Sequence, residues 1–289
     1  MSDLAPRTVG LVGLGQIGGS LGLELVDKRA VRQVIGYDID EPSFRRALER
    51  KVVDSISADL KSLAAEADLI VIATPIRVTL DLIRRLGQMA GEGATITDVA
   101  GTKGQVLQAV AQSGLGPRYV SVHPMAGSEG AGIDSARIGL FKGRVAVITP
   151  GEGADSNRVA LVEALWRSVG AETVRIDAGE HDRAVALTSH LPYAVAVALA
   201  QMGAEEAAKA SNFAGMLAGS FTSATRVAAS SPDLTLDMWL TNRGATANRI
   251  QRFADRLSSL AELIHSGDET ELRRQVEKAR TFVSKMSRE

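Results

Sequence analysis

TVGLVGLGQIGGSLGLELVDKRAVRQVIGYD, residues 8–38, is the stretch whose reading decides the fold. TVGLV (8–12) and QVIGYD (33–38) are short β-branched runs, and Gln16 to Val26 between them has helical apolar spacing. Where the first run ends and the helix begins, Gly13, Gly15 and Gly18 form G-x-G-x-x-G around Gln16 and Ile17. The first glycine permits a tight turn, the second lets backbone amides approach a pyrophosphate, and the third allows close helix–strand packing. The helix N-terminus adds unpaired N–H groups and a partial positive charge of about half a unit. Asp38 closes the second run 20 residues after Gly18. At that distance a carboxylate can accept hydrogen bonds from the adenosine ribose hydroxyls, and it repels a 2′-phosphate. NAD is therefore expected in preference to NADP. Arg45 and Arg46 are read as solvated residues of a charged helix face.

The alternation continues outward: LIVIATP (69–75), ATITDV (94–99), YVSVH (119–123), RVAVIT (144–149) and ETVRI (172–176) are separated by helix-length amphipathic stretches. Continuous apolar runs suit strands buried on both faces, and alternation with helices implies right-handed crossovers. The expectation is an α/β fold, a doubly wound, mainly parallel sheet over residues 1–176. After Asp177 the strand runs stop. Ala184 to Ala204 is apolar almost all round, which suits the middle of a helical domain or a subunit interface. A homodimer is the economical explanation, with residues 177–289 as its all-helical dimerisation and substrate domain. The charged, amphipathic Asn248 to Met286 reads as solvent-facing helices.

Composition narrows the function. The 289 residues are about twice the ~150 of an average domain. Lys plus Arg number 33 against 34 Asp plus Glu, so no basic field exists to hold nucleic acid or an anionic membrane. With no cysteine there is no disulfide, thiolate nucleophile or cysteine-based metal site, and no metal is expected. The N-terminus lacks the pattern of a signal peptide, and the longest uninterrupted apolar runs fall short of the ~20 residues of a membrane span. A cytoplasmic protein acting on a small molecule is the resulting expectation.

The four histidines are unevenly placed. His123 ends a strand run in SVHPMAGSEG, so it should face the carboxyl edge of the sheet, where doubly wound folds bind ligands. Hydride transfer from an alcohol carbon needs an acceptor for the hydroxyl proton, and imidazole titrates in a suitable range. His181 and His190 lie in EHDRAVALTSHLPY, and His265 in the polar tail. Asp182 can orient the His181 imidazole or simply start a helix.

Together, GLGQIGGS (13–20), IATP (72–75), DVAGTKG (98–104), HPMAGSEGAG (123–132), HDR with SHLP (181–192) and TRVAASSP (225–232) resemble the prephenate and arogenate dehydrogenases of tyrosine biosynthesis over nearly the whole chain. The resemblance implies a Rossmann-type N-terminal domain and a helical dimerisation domain. The implied chemistry is NAD(P)-dependent oxidation of a cyclohexadienyl C4 hydroxyl with loss of carbon dioxide from C1. His123 is then the proton acceptor, and Thr102 stands where the family commonly carries a serine near the same hydroxyl. A helix N-cap is the alternative for Thr102. Arg226 matches the arginine that binds substrate carboxylate, or else makes a structural ion pair. His190 matches a position facing the cleft between domains, with Ser189 in support, or is a buried histidine against Pro192. Glu129 resembles a gating glutamate, or is a solvated loop carboxylate. Thr74 and Pro75, with the glycine turn, belong to the cofactor-binding set.

Tyr193 departs from the family's frequent SHLPH. The missing histidine is associated with prephenate binding, so arogenate or dual use is expected. Stopping at Glu289 leaves no length for a regulatory module, and a fused mutase is not expected. Competing readings are an aminodeoxyprephenate dehydrogenase, a 3-hydroxyacid dehydrogenase or imine reductase with similar architecture, and a noncatalytic NAD-binding protein.

Overall fold

The structure, a computed structural model, describes residues 6–286 apart from 128–129 and 210–211. Its N-terminal half alternates β1 (Thr8–Val12), α1 (Gln16–Asp27), β2 (Gln33–Tyr37), α2 (Glu41–Glu49), β3 (Ser55–Ile56), α3 (Leu60–Glu66), β4 (Leu69–Ile72), α4 (Ile76–Met89), β5 (Thr95–Asp98), α5 (Gly104–Gln112), β6 (Tyr119–Pro124), β7 (Val145–Pro150), α6 (Ser156–Ser168) and β8 (Glu172–Arg175). Helices follow: α7 (Ala178–Val185), α8 (Leu191–Lys209), α9 (Gly219–Thr225), α10 (Pro232–Thr241), α11 (Arg243–Ser266) and α12 (Glu269–Met286).

The strand order β3-β2-β1-β4-β5-β6-β7-β8 reverses direction of growth between β1 and β4, so the expected doubly wound sheet forms. Among the described residues only β6 and β7 pair antiparallel. Register places Tyr37, Val12, Ile72, Asp98 and Ser121 in one row across β2, β1, β4, β5 and β6. The residues just beyond that row share one sheet edge: Gly13, Asp38, Thr74, Thr102 and His123. Apolar clusters lie on both faces, with Leu21, Leu25, Phe141 and Trp166 in one and Leu63, Ile83, Leu86 and Val106 in the other. Burial on both sides explains why these strands read as continuous apolar runs. The two-residue β3 is too short to show a period and was not expected from sequence.

Ala178–Lys209 is helical for 32 residues, with a π-helical turn at Ala186–His190. By length and composition alone it could cross a membrane, a property that short uninterrupted apolar runs do not register, because its interrupting residues are mostly uncharged. Its first part is anchored within the protein: His181, Asp182 and His190 are buried and hydrogen-bonded toward α5 and α11. The tail is not simply a charged surface. Leu257, Leu260 and Ile264 of α11 and Phe282 of α12 are also exposed.

Candidate active site

The glycine turn is built as its spacing requires. Gly13 has φ +95°, and a Cβ there would lie 2.6 Å from the Ala73 carbonyl oxygen. A Cβ on Gly18 would run into the Gly13 carbonyl oxygen, so α1 could not approach β1 so closely. Around Gly15 there is open space, and this residue heads α1 without a side-chain cap or an acidic first turn. An uncapped N-terminus beside open space fits a dinucleotide pyrophosphate. The Asp38 carboxylate adjoins it, accepting from the amides of Leu14 (2.7 Å), Ile39 (2.7 Å) and Asp40 (3.1 Å). These bonds hold the carboxylate at the turn and leave one lone pair, on Oδ2, that can accept from a ribose hydroxyl.

Thr74 follows β4, with its hydroxyl 3.0 Å from that of Thr79, and Pro75 is the N-cap of α4. Arg46 bonds Asp134 through Nε at 2.9 Å. Arg50 donates to the carbonyls of Ile133 and Ala136, so α2 is tied to the segment that follows His123. Gln16 also approaches that segment: its side-chain atoms lie 3.5–3.6 Å from where Cβ atoms on Gly127 and Gly130 would stand. Glu129 lies outside the described residues.

His123, half-buried on β6, is the centre of a polar cluster. Its Nδ1 lies 2.9 Å from His181 Nε2, and His181 Nδ1 lies 2.8 Å from Asp182 Oδ1. Its Nε2 lies on the side of Gly101, an exposed residue, 3.7 Å from where a Cβ would be. Burial, then the positive Lys103, then His181 and His190 push the His123 pKa well below its ordinary value. The imidazole is therefore neutral at physiological pH.

Lys103 is the residue sequence reasoning passed over. It is fully buried, and its Nζ donates to Asp98 Oδ1 (3.1 Å), Ser121 Oγ (2.7 Å) and the Val122 carbonyl (2.7 Å). Three such bonds use all three protons of an ammonium. Tyr119 donates to the other Asp98 oxygen at 3.0 Å. Burial lowers the Lys103 pKa, opposed by Asp98 and Asp182. The available signal was Asp98 at the end of the buried β5 with a lysine five residues on.

Thr102 is buried, and its hydroxyl pairs with that of Thr241 on α10 at 2.9 Å. It does not cap α5, whose N-cap is Lys103. Instead Asp182 supplies the carboxylate at that helix end, accepting from the amides of Lys103 and Gly104 at 2.8 Å each. Asp182 thus orients His181 and joins the helical half to α5. Burial alone would raise its pKa, but bonds from His181 and those two amides outweigh it and hold the group below the usual value.

His190 is buried, with Nδ1 toward Thr246 Oγ1 (3.0 Å) and Asn242 Nδ2 (3.3 Å). Burial, with His181 adding and Asp182 opposing, lowers its pKa to about 4. It is consequently uncharged at neutral pH and is not a cation for an acidic ligand. Ser189 does not support it: that hydroxyl faces Met238 Sδ at 3.6 Å, since adjacent helical residues point to different sides. The Tyr193 hydroxyl accepts from Ser230 at 3.4 Å, linking α8 to the 3₁₀ turn Arg226–Ala229. Arg226 is exposed at the start of that turn. Arg77 of α4 pairs with Asp237 of α10 at 2.7 Å, a further link between the halves. His265 is exposed on α11.

A chemistry follows from this arrangement: a dinucleotide cradle and a neutral imidazole on one sheet edge, backed by a fixed carboxylate. Two family models cover the chain. "Prephenate dehydrogenase, nucleotide-binding domain" matches residues 21–175, and "Prephenate dehydrogenase, dimerization domain" matches 177–278. The prephenate dehydrogenase of Bacillus subtilis (strain 168) is 31% identical over 278 residues, 95% of this chain and 75% of that protein. The solved prephenate dehydrogenase from A. aeolicus, in complex with hydroxyphenyl propionate and NAD+, has a TM-score of 0.90 at 27% identity and covers both chains completely. Synechocystis arogenate dehydrogenase has a TM-score of 0.83 at 30% identity, covering 96% of this chain and 99% of the other.

Proposed function

Because the chain belongs to the prephenate dehydrogenase family, we propose that His123 is the general base of its reaction and that arogenate, alone or beside prephenate, is the substrate. The protein is an NAD-dependent oxidoreductase that binds a small molecule and carries out an oxidative decarboxylation. That class sets aside the 3-hydroxyacid dehydrogenase and noncatalytic readings. The observation that supports the base assignment is the position of His123: on the sheet edge of the glycine turn, with Nε2 on the side of exposed Gly101.

Bound NAD supplies the acceptor for the hydride that leaves ring C4. The glycine turn and Asp38 would hold the dinucleotide, with Thr74 and Pro75 in the same binding set. His123 Nε2 takes the C4 hydroxyl proton as the C4 carbonyl forms. The C1 carboxylate then departs as carbon dioxide, its bonding pair enters the ring, and the C4 oxygen regains the proton as the phenol. The ring becomes aromatic, so a base of low pKa suffices and correct placement matters most. Thr102, whose hydroxyl pairs with that of Thr241, is assigned the family's hydroxyl role near the reacting oxygen, and Arg226 the grip on a substrate carboxylate. Tyr193 brings no cation to the α8 side, which favours the substrate carrying its own ammonium. We place the enzyme in the cytoplasm as a homodimer, with the domain boundary at 176/177.

Steady-state kinetics with prephenate and arogenate, each with NAD and NADP, tests the substrate and cofactor readings. Turnover with arogenate and tighter use of NAD are expected; activity confined to prephenate, or a preference for NADP, overturns the corresponding reading. His123→Gln should lower kcat by about 10²- to 10⁴-fold. An unchanged kcat would remove His123 from the role.

A further inference from the structure

The protonation pattern around His123 can be deduced from one fixed acceptor. An ionised carboxylate only accepts hydrogen bonds, and that of Asp182 is held in place by the amides of Lys103 and Gly104 at 2.8 Å. His181 Nδ1, 2.8 Å from Asp182 Oδ1, must then carry a proton. A neutral His181 has its lone pair on Nε2, and the partner of that nitrogen is His123 Nδ1 at 2.9 Å. With His181 uncharged, His123 donates there, and its own lone pair is then on Nε2.

We propose that Asp182 and His181 are positioning residues that hold His123 as its Nδ1–H tautomer and leave the Nε2 lone pair on the Gly101 side for the substrate hydroxyl. This inference rests on His123 being the base. The two imidazoles meet edge to face, with centroids 5.1 Å apart and planes at 73°, which aligns the Nδ1–H of one with the lone pair of the other. The His181 side chain is wholly buried, so water does not compete for this bond. When the hydroxyl O–H bond breaks and Nε2–H forms, the positive charge on His123 faces a ring whose far nitrogen is bonded to a carboxylate. The charge is stabilised without any proton leaving Asp182, and Nε2–H returns its proton to the phenolic oxygen. The capping of α5 by Asp182 is what makes the carboxylate rigid enough for the task.

Nitrogen NMR on the cofactor-free protein labelled with ¹⁵N-histidine reads the tautomer directly. The four histidine rings are assigned by single His→Gln variants. The expected result near pH 7.5 is a protonated Nδ1 and an unprotonated Nε2 on His123. A protonated Nε2 on that ring in the wild-type protein overturns the proposal, and this measurement needs no variant to fold. In Asp182→Asn an amide can donate to His181 Nδ1, which pushes the proton to His181 Nε2 and that of His123 to its own Nε2. The variant should lose about 10²- to 10⁴-fold in kcat with KM little changed. A purely structural Asp182 would lower thermal stability while leaving kcat and the His123 tautomer as in wild type, which also overturns the proposal. His181→Gln, whose amide oxygen can still accept from His123 Nδ1, should keep more of kcat than His181→Leu. The two readings fail separately. Full activity in His123→Gln removes the base, whereas an inactive His123→Gln beside a wild-type Nε2–H removes only the positioning.

Discussion

At the scale of single residues, the site divides into groups that must be neutral and groups that must be charged. Burial above all holds His123 and His190 neutral, and the Lys103 ammonium donates to three acceptors. Neither imidazole supplies a cation for a substrate carboxylate, the role proposed above for Arg226. Arg226→Gln should raise KM for either substrate by about tenfold or more, the loss of a charge-assisted bidentate contact, while KM for NAD stays put. Equal substrate KM values in variant and wild type would reassign the arginine. Lys103 contributes differently: its ammonium compensates a buried aspartate that two other groups also contact, and removing one partner of such a pair typically costs about 3–5 kcal/mol.

At the scale of elements, α1 depends on contact with β1. A methyl at position 18 meets the Gly13 carbonyl oxygen, so Gly18→Ala must shift the helix N-terminus away from the turn. A displacement costing about 1.4 kcal/mol weakens NAD tenfold. Titration of the variant with NAD, followed by protein fluorescence or calorimetry, should show at least that loss, and an unaltered Kd would separate the glycine from dinucleotide binding. A π-helical turn joins α7 to α8, and within it His190 points inward against Thr246 and Ser189 toward Met238.

At the scale of the whole molecule, two features set measurable behaviour. The first is proton linkage. The His190 pKa falls from 6.5 to about 4 on folding, and that of His123 also falls well below 6.5. Below pH 6.5 the unfolded chain takes up protons that these native rings refuse, so stability decreases as pH drops and the His190 contribution is lost by about pH 4. Tm measured from pH 7.5 to 4.5 should fall, and His190→Gln should flatten part of that slope. An identical slope would mean His190 contributes nothing to it. The second is the apolar surface of the helical half. Leu257, Leu260 and Ile264 fall on one side of α11 and are exposed in a single chain. Sedimentation at micromolar concentration should give a species of twice 30.5 kDa, and Leu260→Asp with Ile264→Asp should shift it toward one chain. A wild-type monomer would overturn the dimer.

Local rules along the chain account for the glycine turn, the α/β alternation, the change to helices after Asp177, and the placement of His123 and Asp38 at strand ends. Each follows from a spacing or a period within one element. The tertiary structure alone decided what those groups touch. His181 reaches His123 from 58 positions away, and Thr102 and Thr241 meet from opposite halves. His190, read as either facing the cleft or buried, is buried against Thr246, and Ser189 faces Met238 instead of supporting it. Hydrogen-bond partners and desolvation depend on which surfaces come together when the helical half packs on the sheet edge, and no periodicity along the chain encodes that approach.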